Sequence, residues 1–280
     1  MDRPYPTLDA ALALIDTWPA PTAAAAVVGG VTTIDRGPID HRFALASVTK
    51  PLFAYAALVA IEEGTLGLDA VVERAPAPAG TTVRHLLAHG SGLPFDHGGP
   101  VSGPEQRRIY SNVGFDVLGE ELAARAGMAA ADYLDLAVCR PLGMTATALV
   151  GSPAKDGIGS VRDLARFVAE LMAPTLVHPS TLTAATSPQF GELAGLLPGF
   201  GRQTPNPWGL GFELRGHKTP HWTGTANSPT TFGHFGQTGT MLWVDPAASL
   251  GVVALTDRPF GAWAAEAWPT FSDALLAAVR

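Results

Sequence analysis

The sequence contains a single cysteine, Cys139. One cysteine excludes an internal disulfide and a zinc site built from cysteines. Its neighbours Ala137, Val138 and Leu142 are apolar, which is typical of a buried structural thiol rather than a nucleophile. The reactive groups are therefore expected elsewhere in the chain.

Charged residues are also scarce, at 15% of the chain against about 25% in an average protein. The net charge is −7, and no run is rich in lysine or arginine. An acidic chain of this kind is poorly suited to nucleic acid or to an anionic membrane surface, so we expect neither as a partner.

The N-terminal segment lacks the basic start and the apolar block of a secretion signal, and it carries Asp2, Asp9 and Asp16. This pattern predicts a cytoplasmic protein. Hydrophobic residues make up 47% of the 280 residues, which is enough for a sizeable core and argues against disorder. The length fits one large domain or two closely packed ones.

The stretch Ser47-Val48-Thr49-Lys50 precedes a run without charged residues, 51–61. A helix over this run is apolar on nearly every face, so we expect it to be buried, and it is too short to cross a bilayer. Lys50 lies one helical turn after Ser47 and on the same side. An amine beside a serine hydroxyl can activate that hydroxyl, so Ser47 is the candidate nucleophile.

The same motif also has an ordinary interpretation. Serine is a favoured helix N-cap, and Lys50 could reach solvent from the first turn. A second copy, Ser152 to Lys155, has a loop-like stretch behind it instead of an apolar helix, and we reject it as a nucleophile. Pro51 disfavours a helical conformation at Lys50, although the first turn of a helix tolerates proline.

Two further motifs follow in the chain. Tyr110-Ser111-Asn112 opens a predicted helix after a Gly/Pro-rich loop, 95–104. A nearby lysine ammonium would make the Tyr110 hydroxyl lose its proton more readily, and Asn112 offers a donor and an acceptor to a bound amide or ester. The alternative is a tyrosine at a helix start with Asn112 as an N-cap.

The third motif is the glycine-rich segment 233–239, which contains His234, Gly236 and Gln237 and precedes an apolar strand. Glycines allow the backbone to approach a ligand closely, so a strand starting here could direct an N–H at a substrate carbonyl oxygen. The alternative is a simple turn in which His234 is an ordinary polar residue.

The order of predicted elements indicates an α/β (α+β) fold. Strands are expected in 23–34 and again in 208–214, 240–244 and 250–256, and a helix over 262–279 closes the chain. The residues between are mostly helical, at 82–89, 112–126, 129–139 and 161–172 after the Ser47 helix. We predict a central antiparallel sheet flanked by helices, formed by 1–46 plus 206–280, with a mainly helical domain inserted at 47–205.

Several histidines are weaker candidates. His85 and His89 lie four residues apart on one helix face but lack the glutamate of a zinc-binding H-E-x-x-H motif, so packing or capping is expected. Asp96, His97, His217 and His221 lie in predicted loops, where a surface position is expected and a place lining the cleft is the alternative.

With the three motifs in this order, the chain resembles the serine β-lactamase-like hydrolases. This family includes class C β-lactamases, D-alanyl-D-alanine carboxypeptidases, D-aminopeptidases and related esterases. S-V-T-K at 47–50, Y-S-N at 110–112 and H-F-G at 234–236 are similar to its three motifs. The resemblance covers about 23–257 and includes the flanking segments 43–46, 62–69, 83–94, 140–144, 159–165 and 208–211.

The resemblance implies a β-lactamase/transpeptidase-like fold and an acyl-enzyme on Ser47, with Lys50 and Tyr110 sharing the proton transfers. Asn112 would orient the substrate amide or carbonyl. The backbone N–H groups of Ser47 and Gln237, beside Gly236, would form the oxyanion hole. No cofactor or metal is implied.

One departure concerns His234, which stands where many members carry a lysine. A neutral histidine attracts a substrate carboxylate more weakly, and histidine is frequent in the esterase-like and peptidase-like branches. We predict a serine hydrolase for a small ester or amide, with esterase favoured over β-lactamase. Alternatives are an acyltransferase, a D-amino-acid peptidase or amidase, and a non-catalytic ligand-binding member of the fold.

Two loops and two tryptophans are expected to shape the substrate pocket, at 95–108, 190–207, Trp208 and Trp222. The sequence contains no counterpart of the glutamate that serves deacylation in class A β-lactamases. Activation of the deacylating water would therefore depend on Tyr110 and Lys50.

Overall fold

The computed structural model describes residues 7–30 and 32–279. Residues 1–6, Val31 and Arg280 lie outside the described residues. Residues 1–6 are the start of the predicted sheet domain, Val31 follows the predicted turn at Gly29-Gly30, and Arg280 is the last residue of the predicted sheet domain. The helices are α1 Leu8–Leu12, α2 Thr49–Glu62, α3 Val83–Leu87, α4 Asn112–Ala126, α5 Ala130–Leu134, α6 Val161–Met172, α7 Pro179–Ala185 and α8 Ala262–Ala278. The strands are β1 Ala23–Gly29, β2 Thr32–Arg36, β3 Phe43–Ala44, β4 Ala148–Leu149, β5 Gly157–Gly159, β6 Gly195–Leu197, β7 Gly201–Gln203, β8 Glu213–Leu214, β9 Phe232–Gly236, β10 Thr240–Asp245 and β11 Leu250–Thr256.

Six strands form the main sheet in the order β2-β1-β11-β10-β9-β8, and all neighbours are antiparallel. Strand β1 pairs with β11 from Ala23 opposite Thr256 to Val28 opposite Gly251. The prediction that N-terminal and C-terminal strands share one antiparallel sheet is confirmed. Strands β3, β5 and β4 form a smaller sheet.

Both faces of the main sheet are covered, so β10 and β11 are buried along their whole length. Side chains alternate between the faces of a strand. Val253 therefore packs in the core cluster that contains Phe167 of α6, whereas Val252 packs in the cluster that contains Phe271 of α8. Helix α6 contacts β1 and β11 although it lies within 47–205. The division into a sheet domain and an inserted helical domain stays a prediction.

Helix α2 is the central helix of the molecule, and its residues from Thr49 to Ala60 are all buried. A single 3₁₀ turn, Ala46–Val48, precedes it. The predicted buried helix is confirmed, and Pro51 lies in its first turn, where the missing N–H breaks no helical hydrogen bond. No helix in the described ranges is both long and apolar enough to span a bilayer.

Three predicted elements differ in the structure. The segment 208–214 is not one strand, because the chain reverses at Gly211 (φ 86°), Trp208 bridges Glu213, and only Glu213–Leu214 joins the sheet. A methyl group on Gly211 would lie 2.0 Å from Cβ of Ala54, so glycine is required there. The helix predicted over 129–139 is α5 followed by a π-helical turn, Asp135–Cys139. The helix predicted over 82–89 is the shorter α3.

Candidate active site

Ser47 lies in the 3₁₀ turn between β3 and α2 and is half-buried. The preceding residue, Ala46, has a φ of 46°, in the left-handed region that non-glycine residues rarely adopt. Such strained residues cluster at functional sites. The serine borders a cavity of about 290 Å³, which makes its hydroxyl accessible to a small ligand.

Lys50 is completely buried, and its amine makes three polar contacts. Nζ lies 3.3 Å from Ser47 Oγ, 2.6 Å from Asn112 Oδ1 and 2.8 Å from the carbonyl oxygen of Ala154. Burial lowers the pKa of Lys50 well below its usual value, and the carboxylate of Asp116 only partly opposes this effect. Burial therefore shifts the balance from the ammonium toward the neutral amine, compared with a lysine in water.

These contacts determine how a neutral Lys50 can act. A neutral amine has two hydrogens and one free electron pair. The oxygens of Asn112 and Ala154 are acceptors only, and both short contacts use amine hydrogens. The free electron pair is then left for Ser47 Oγ, which is the arrangement needed to remove the serine proton.

The Tyr110 hydroxyl donates to Ser47 Oγ at 2.6 Å. Burial raises the pKa of Tyr110, so the hydroxyl stays protonated. The prediction that Lys50 would ease ionisation of Tyr110 is wrong. The loss of solvent around the phenol outweighs other effects, and the amine of Lys50 lies over the Tyr110 ring, 4.6 Å from its centroid. Tyr110 is positioned as a hydrogen-bond donor.

Asn112 is the first residue of α4, but it does not cap the helix. Ser111 is the N-cap and accepts the N–H of Gly114 at 2.8 Å, so the alternative of Asn112 as an N-cap is wrong. The Asn112 amide instead faces the site, with Oδ1 toward Lys50 and Nδ2 donating to Asp96 at 3.2 Å. Its contact with substrate stays a prediction.

His234 lies on β9, borders the cavity and is almost fully buried. Its Nδ1 lies 2.7 Å from the carbonyl oxygen of Phe235, so Nδ1 carries the hydrogen and Nε2 is bare in the neutral ring. Burial lowers the pKa of His234 to about 3. This position is therefore uncharged at neutral pH.

The end of β9 approaches the nucleophile turn closely. A methyl group on Gly236 would lie 2.5 Å from the carbonyl oxygen of Leu45, so only glycine fits there. Gln237 follows and borders the same cavity as Ser47. The roles of Gly236 and of the Ser47 and Gln237 N–H groups in binding an oxyanion stay predictions.

The rejected second Ser-x-x-Lys segment lies beside the site. Ser152 Oγ donates to Asp116, the Ala154 carbonyl accepts from Lys50, and Lys155 pairs with Asp96 at 3.1 Å. Sequence reasoning missed the contact between Lys50 and Ala154, because a backbone carbonyl gives no sequence signal.

A buried ionic cluster forms the back wall of the cavity. The Glu213 carboxylate accepts from Lys218 Nζ, from His221 Nε2 at 3.0 Å and from Trp222 Nε1. Burial works against ionisation of Glu213, but His221 and Lys218 hold its pKa well below the usual range. The expectation of a surface position for His221 is wrong, since the residue is 8% exposed. The only sequence signal was a glutamate among apolar residues.

The remaining candidates have structural roles. His85 caps α3, with Nδ1 accepting the Thr82 N–H at 3.0 Å, as expected. His89 Nδ1 accepts the Ser111 N–H at 3.1 Å, and its ring lies 4.8 Å from that of Tyr110. Cys139 is buried, and burial raises its pKa to about 12, so the thiol stays protonated.

The cavity walls are mainly aromatic and apolar. Trp208 borders the cavity as predicted, whereas Trp222 lies behind the wall against Glu213. Both predicted loops contribute, and the residues that border the cavity are Ser47, Phe95, Tyr110, Leu197, Pro198, Trp208, Glu213, His234, Phe235 and Gln237.

The site combines a serine in the turn before a buried helix, a lysine in the first turn of that helix, a tyrosine hydroxyl on the serine and a covered antiparallel sheet. These are the features of a serine hydrolase of β-lactamase fold. The Beta-lactamase family model matches residues 13–276, and the chain belongs to this family. The resemblance inferred from the three motifs is confirmed.

Known proteins similar to this chain include a β-lactamase from Mycobacterium bovis. Its crystal structure is 49% identical, with a TM-score of 0.93 over 96% of this chain and 99% of that one. Esterase EstB of Burkholderia gladioli is 27% identical over 307 residues, covering 79% of this chain and 78% of EstB. Penicillin-binding protein 4* of Bacillus subtilis (strain 168) is 32% identical over 135 residues, or 38% of this chain. The matched part spans only 30% of that protein, and 46% of a putative D-alanyl-D-alanine carboxypeptidase of Escherichia coli (strain K12).

Proposed function

We propose that this protein hydrolyses small neutral esters through an acyl-enzyme on Ser47. The observation that carries the proposal is the position of Ser47 Oγ, 2.6 Å from the Tyr110 hydroxyl and 3.3 Å from the Lys50 amine. A nucleophile held between a neutral amine and a hydroxyl donor is suited to acyl transfer.

In the acylation step, Ser47 Oγ attacks the ester carbonyl carbon while its proton passes to Lys50. The N–H groups of Ser47 and Gln237 would stabilise the oxyanion of the tetrahedral intermediate. When the ester C–O bond breaks, the Tyr110 hydroxyl protonates the leaving alkoxide and regains a proton from Lys50. Water then attacks the acyl carbonyl carbon and gives up a proton to Lys50 and Tyr110. When the bond between the acyl group and Ser47 Oγ breaks, these residues pass that proton to Oγ and the acid is released.

The preference for a neutral ester over a β-lactam rests on the charge of the cavity. None of the described residues that border it is lysine or arginine, and His234 is uncharged. A β-lactam carboxylate would find no cation on these walls, whereas the rings of Phe95, Trp208 and Phe235 suit an apolar acyl or alcohol group. The name of EstB, which matches most of this chain, agrees with an esterase.

A fluorophosphonate probe tests the nucleophile. We expect its mass on the peptide that contains Ser47 and none in Ser47→Ala. Ser152→Ala is the matched control, because Ser152 begins the second Ser-x-x-Lys segment, and its labelling should persist. Labelling of Ser47→Ala would contradict the proposal.

Substrate preference requires a second assay. We expect p-nitrophenyl butyrate to be turned over with a higher kcat/KM than nitrocefin. The reverse order would replace the esterase proposal with a β-lactamase, while leaving Ser47 as the nucleophile.

A further inference from the structure

Asp96 lies outside the three motifs, on the loop after Leu93-Pro94, and its side chain is 45% exposed. Its Oδ1 accepts hydrogen bonds from Asn112 Nδ2 at 3.2 Å and from Lys155 Nζ at 3.1 Å. An exposed carboxylate thus reaches a residue that directly contacts the Lys50 amine.

The contact matters because the Asn112 amide has two different ends. Only its oxygen can accept a hydrogen from Lys50. Rotating the amide by half a turn would place its NH₂ group against the amine and its oxygen against the Asp96 carboxylate, so both hydrogen bonds would be lost. Asp96 therefore stabilises the one orientation in which Asn112 holds a hydrogen of Lys50.

Lys155 connects this carboxylate to the other side of Lys50. The residue before it, Ala154, supplies the second acceptor of the Lys50 amine at 2.8 Å. The turn that contains both residues is held by the Ser152 N–H, which donates to Asp156 at 2.8 Å. One short turn thus places a carbonyl on Lys50 and an ammonium on Asp96.

We propose that Asp96, held by Lys155, is a positioning residue for acylation, which fixes the Asn112 amide so that the free electron pair of Lys50 faces Ser47. The inference rests on the proposed function, in which Lys50 removes the Ser47 proton. Asp96 is not among the described residues that border the cavity, and its side-chain hydrogen bonds go to Asn112 and Lys155 and not to Ser47.

The charges around Lys50 give this proposal a distinctive pH signature. The Asp96 carboxylate raises the pKa of Lys50, which opposes burial, and the Lys155 ammonium lowers it, which adds to burial; the effect of burial is the largest of the three. The other titratable groups that face the amine are Asp116, Tyr110, His89 and His234. Lys50 must be deprotonated to act, so the labelling rate constant should fall toward low pH around the pKa of Lys50. This fall is the acid limb of the pH profile. Loss of Asp96 should move that limb to lower pH, and loss of Lys155 should move it to higher pH.

The experiment measures the rate constant for fluorophosphonate labelling of Ser47 between about pH 5 and about pH 10, where a lysine of lowered pKa titrates. The variants are Asp96→Ala, Asp96→Asn, Lys155→Met and the Asp96→Ala/Lys155→Met pair. Asp135→Asn is the matched control, since Asp135 accepts from Arg140 at 2.7 Å and is 43% exposed, much like Asp96.

We expect Asp96→Ala to lower the plateau rate about 10-fold, the usual scale for loss of a charged hydrogen-bond partner. Lys155→Met should lower it less, and the double variant should match Asp96→Ala, because both changes act through one group. Asp96→Asn keeps an oxygen for Asn112 but loses the charge, so a smaller loss with the same pH shift is expected. Asp135→Asn should react like the wild type.

The inference is overturned if Asp96→Ala is labelled at the wild-type rate, or if Asp96→Ala and Lys155→Met shift the acid limb in the same direction. Thermal melting of each variant checks folding. A lower plateau rate constant without opposite pH shifts in the two single variants would mean a merely structural role for Asp96. Failure of the proposed function would look different, because wild-type Ser47 would then not be labelled at all.

Discussion

Gly236 lies so close to Leu45 that a methyl group on the glycine would be 2.5 Å from the Leu45 carbonyl oxygen. Gly236→Ala should push the end of β9 away from the nucleophile turn. We expect Ser47 labelling to fall by about 100-fold, since small displacements in a catalytic site have effects of this size. Gly29→Ala is the control, because its nearest neighbour is Leu250 Cδ1 at 3.9 Å. An unchanged rate in Gly236→Ala would contradict a role for this contact.

Lys50→Met should lower kcat for ester hydrolysis by about 10³-fold, within the range for loss of a general base. The thioether side chain fills the buried space, so folding should be retained, as circular dichroism and thermal melting would verify. Lys50→Arg should not restore activity, because a guanidinium stays protonated and offers no electron pair. Substantial turnover by either variant would show that another group removes the Ser47 proton.

Tyr110→Phe should lower kcat/KM by about 10²-fold or more while leaving the melting temperature close to that of the wild type. The change removes only the hydroxyl that donates to Ser47 and keeps the ring contacts with His89 and Trp208. Stopped-flow measurement of acylation and deacylation separates the two steps. Both should slow, since Tyr110 is expected to serve the leaving group and the attacking water.

Glu213→Gln should destabilise the fold by about 3–5 kcal/mol, the usual cost of leaving a buried charge without its partner. The Lys218 ammonium is buried and would lose its carboxylate. Urea unfolding measures the loss. Combining the change with Lys218→Met should recover part of it, and a double variant less stable than Glu213→Gln would contradict this pairing.

Stability should fall as the pH drops below about 6.5, the ordinary pKa of histidine. Burial lowers the pKa values of His89, His221 and His234, the last to about 3. Below pH 6.5 the unfolded chain takes up protons that the folded chain resists, so the unfolded state gains about 1.4 kcal/mol per pH unit for each such group.

Urea unfolding at a series of pH values tests this dependence. His234→Gln should reduce the slope of unfolding free energy against pH, whereas the exposed His217→Gln should leave it unchanged. A flat profile between pH 4 and pH 6.5 in the wild type would mean that these histidines take up protons as readily in the fold as in the unfolded chain.

The sequence was informative where a pattern depends on side chains alone. The uncharged run after Lys50 predicted the buried α2, and the order of the three motifs predicted the family that the comparison confirms. Ser47, Lys50 and Tyr110 do meet, because α2 and the start of α4 pack against each other.

The sequence failed where the answer depends on distant partners or on backbone atoms. The Glu213 carboxylate pairs with Lys218 and His221, which lie in a segment that resembles a surface loop. For this reason the prediction of a surface position for His221 was wrong. Lys50 donates to the backbone carbonyl of Ala154, and no sequence pattern marks this acceptor, because every residue has a backbone carbonyl. The pKa of Tyr110 was predicted in the wrong direction because burial, which sequence does not give, outweighs a nearby amine.

The pairing of β1 with β11 has a consequence for synthesis of the protein. All the helices from α2 to α7 and the strands from β2 to β10 are synthesised between strand β1 and its partner β11. Contacts between such distant segments form slowly. Until the sheet is complete, the apolar surfaces of α2 and α6 stay exposed to solvent. A chain that stops before Leu250 would lack the strand between β1 and β10, so we expect it to aggregate rather than to retain partial activity.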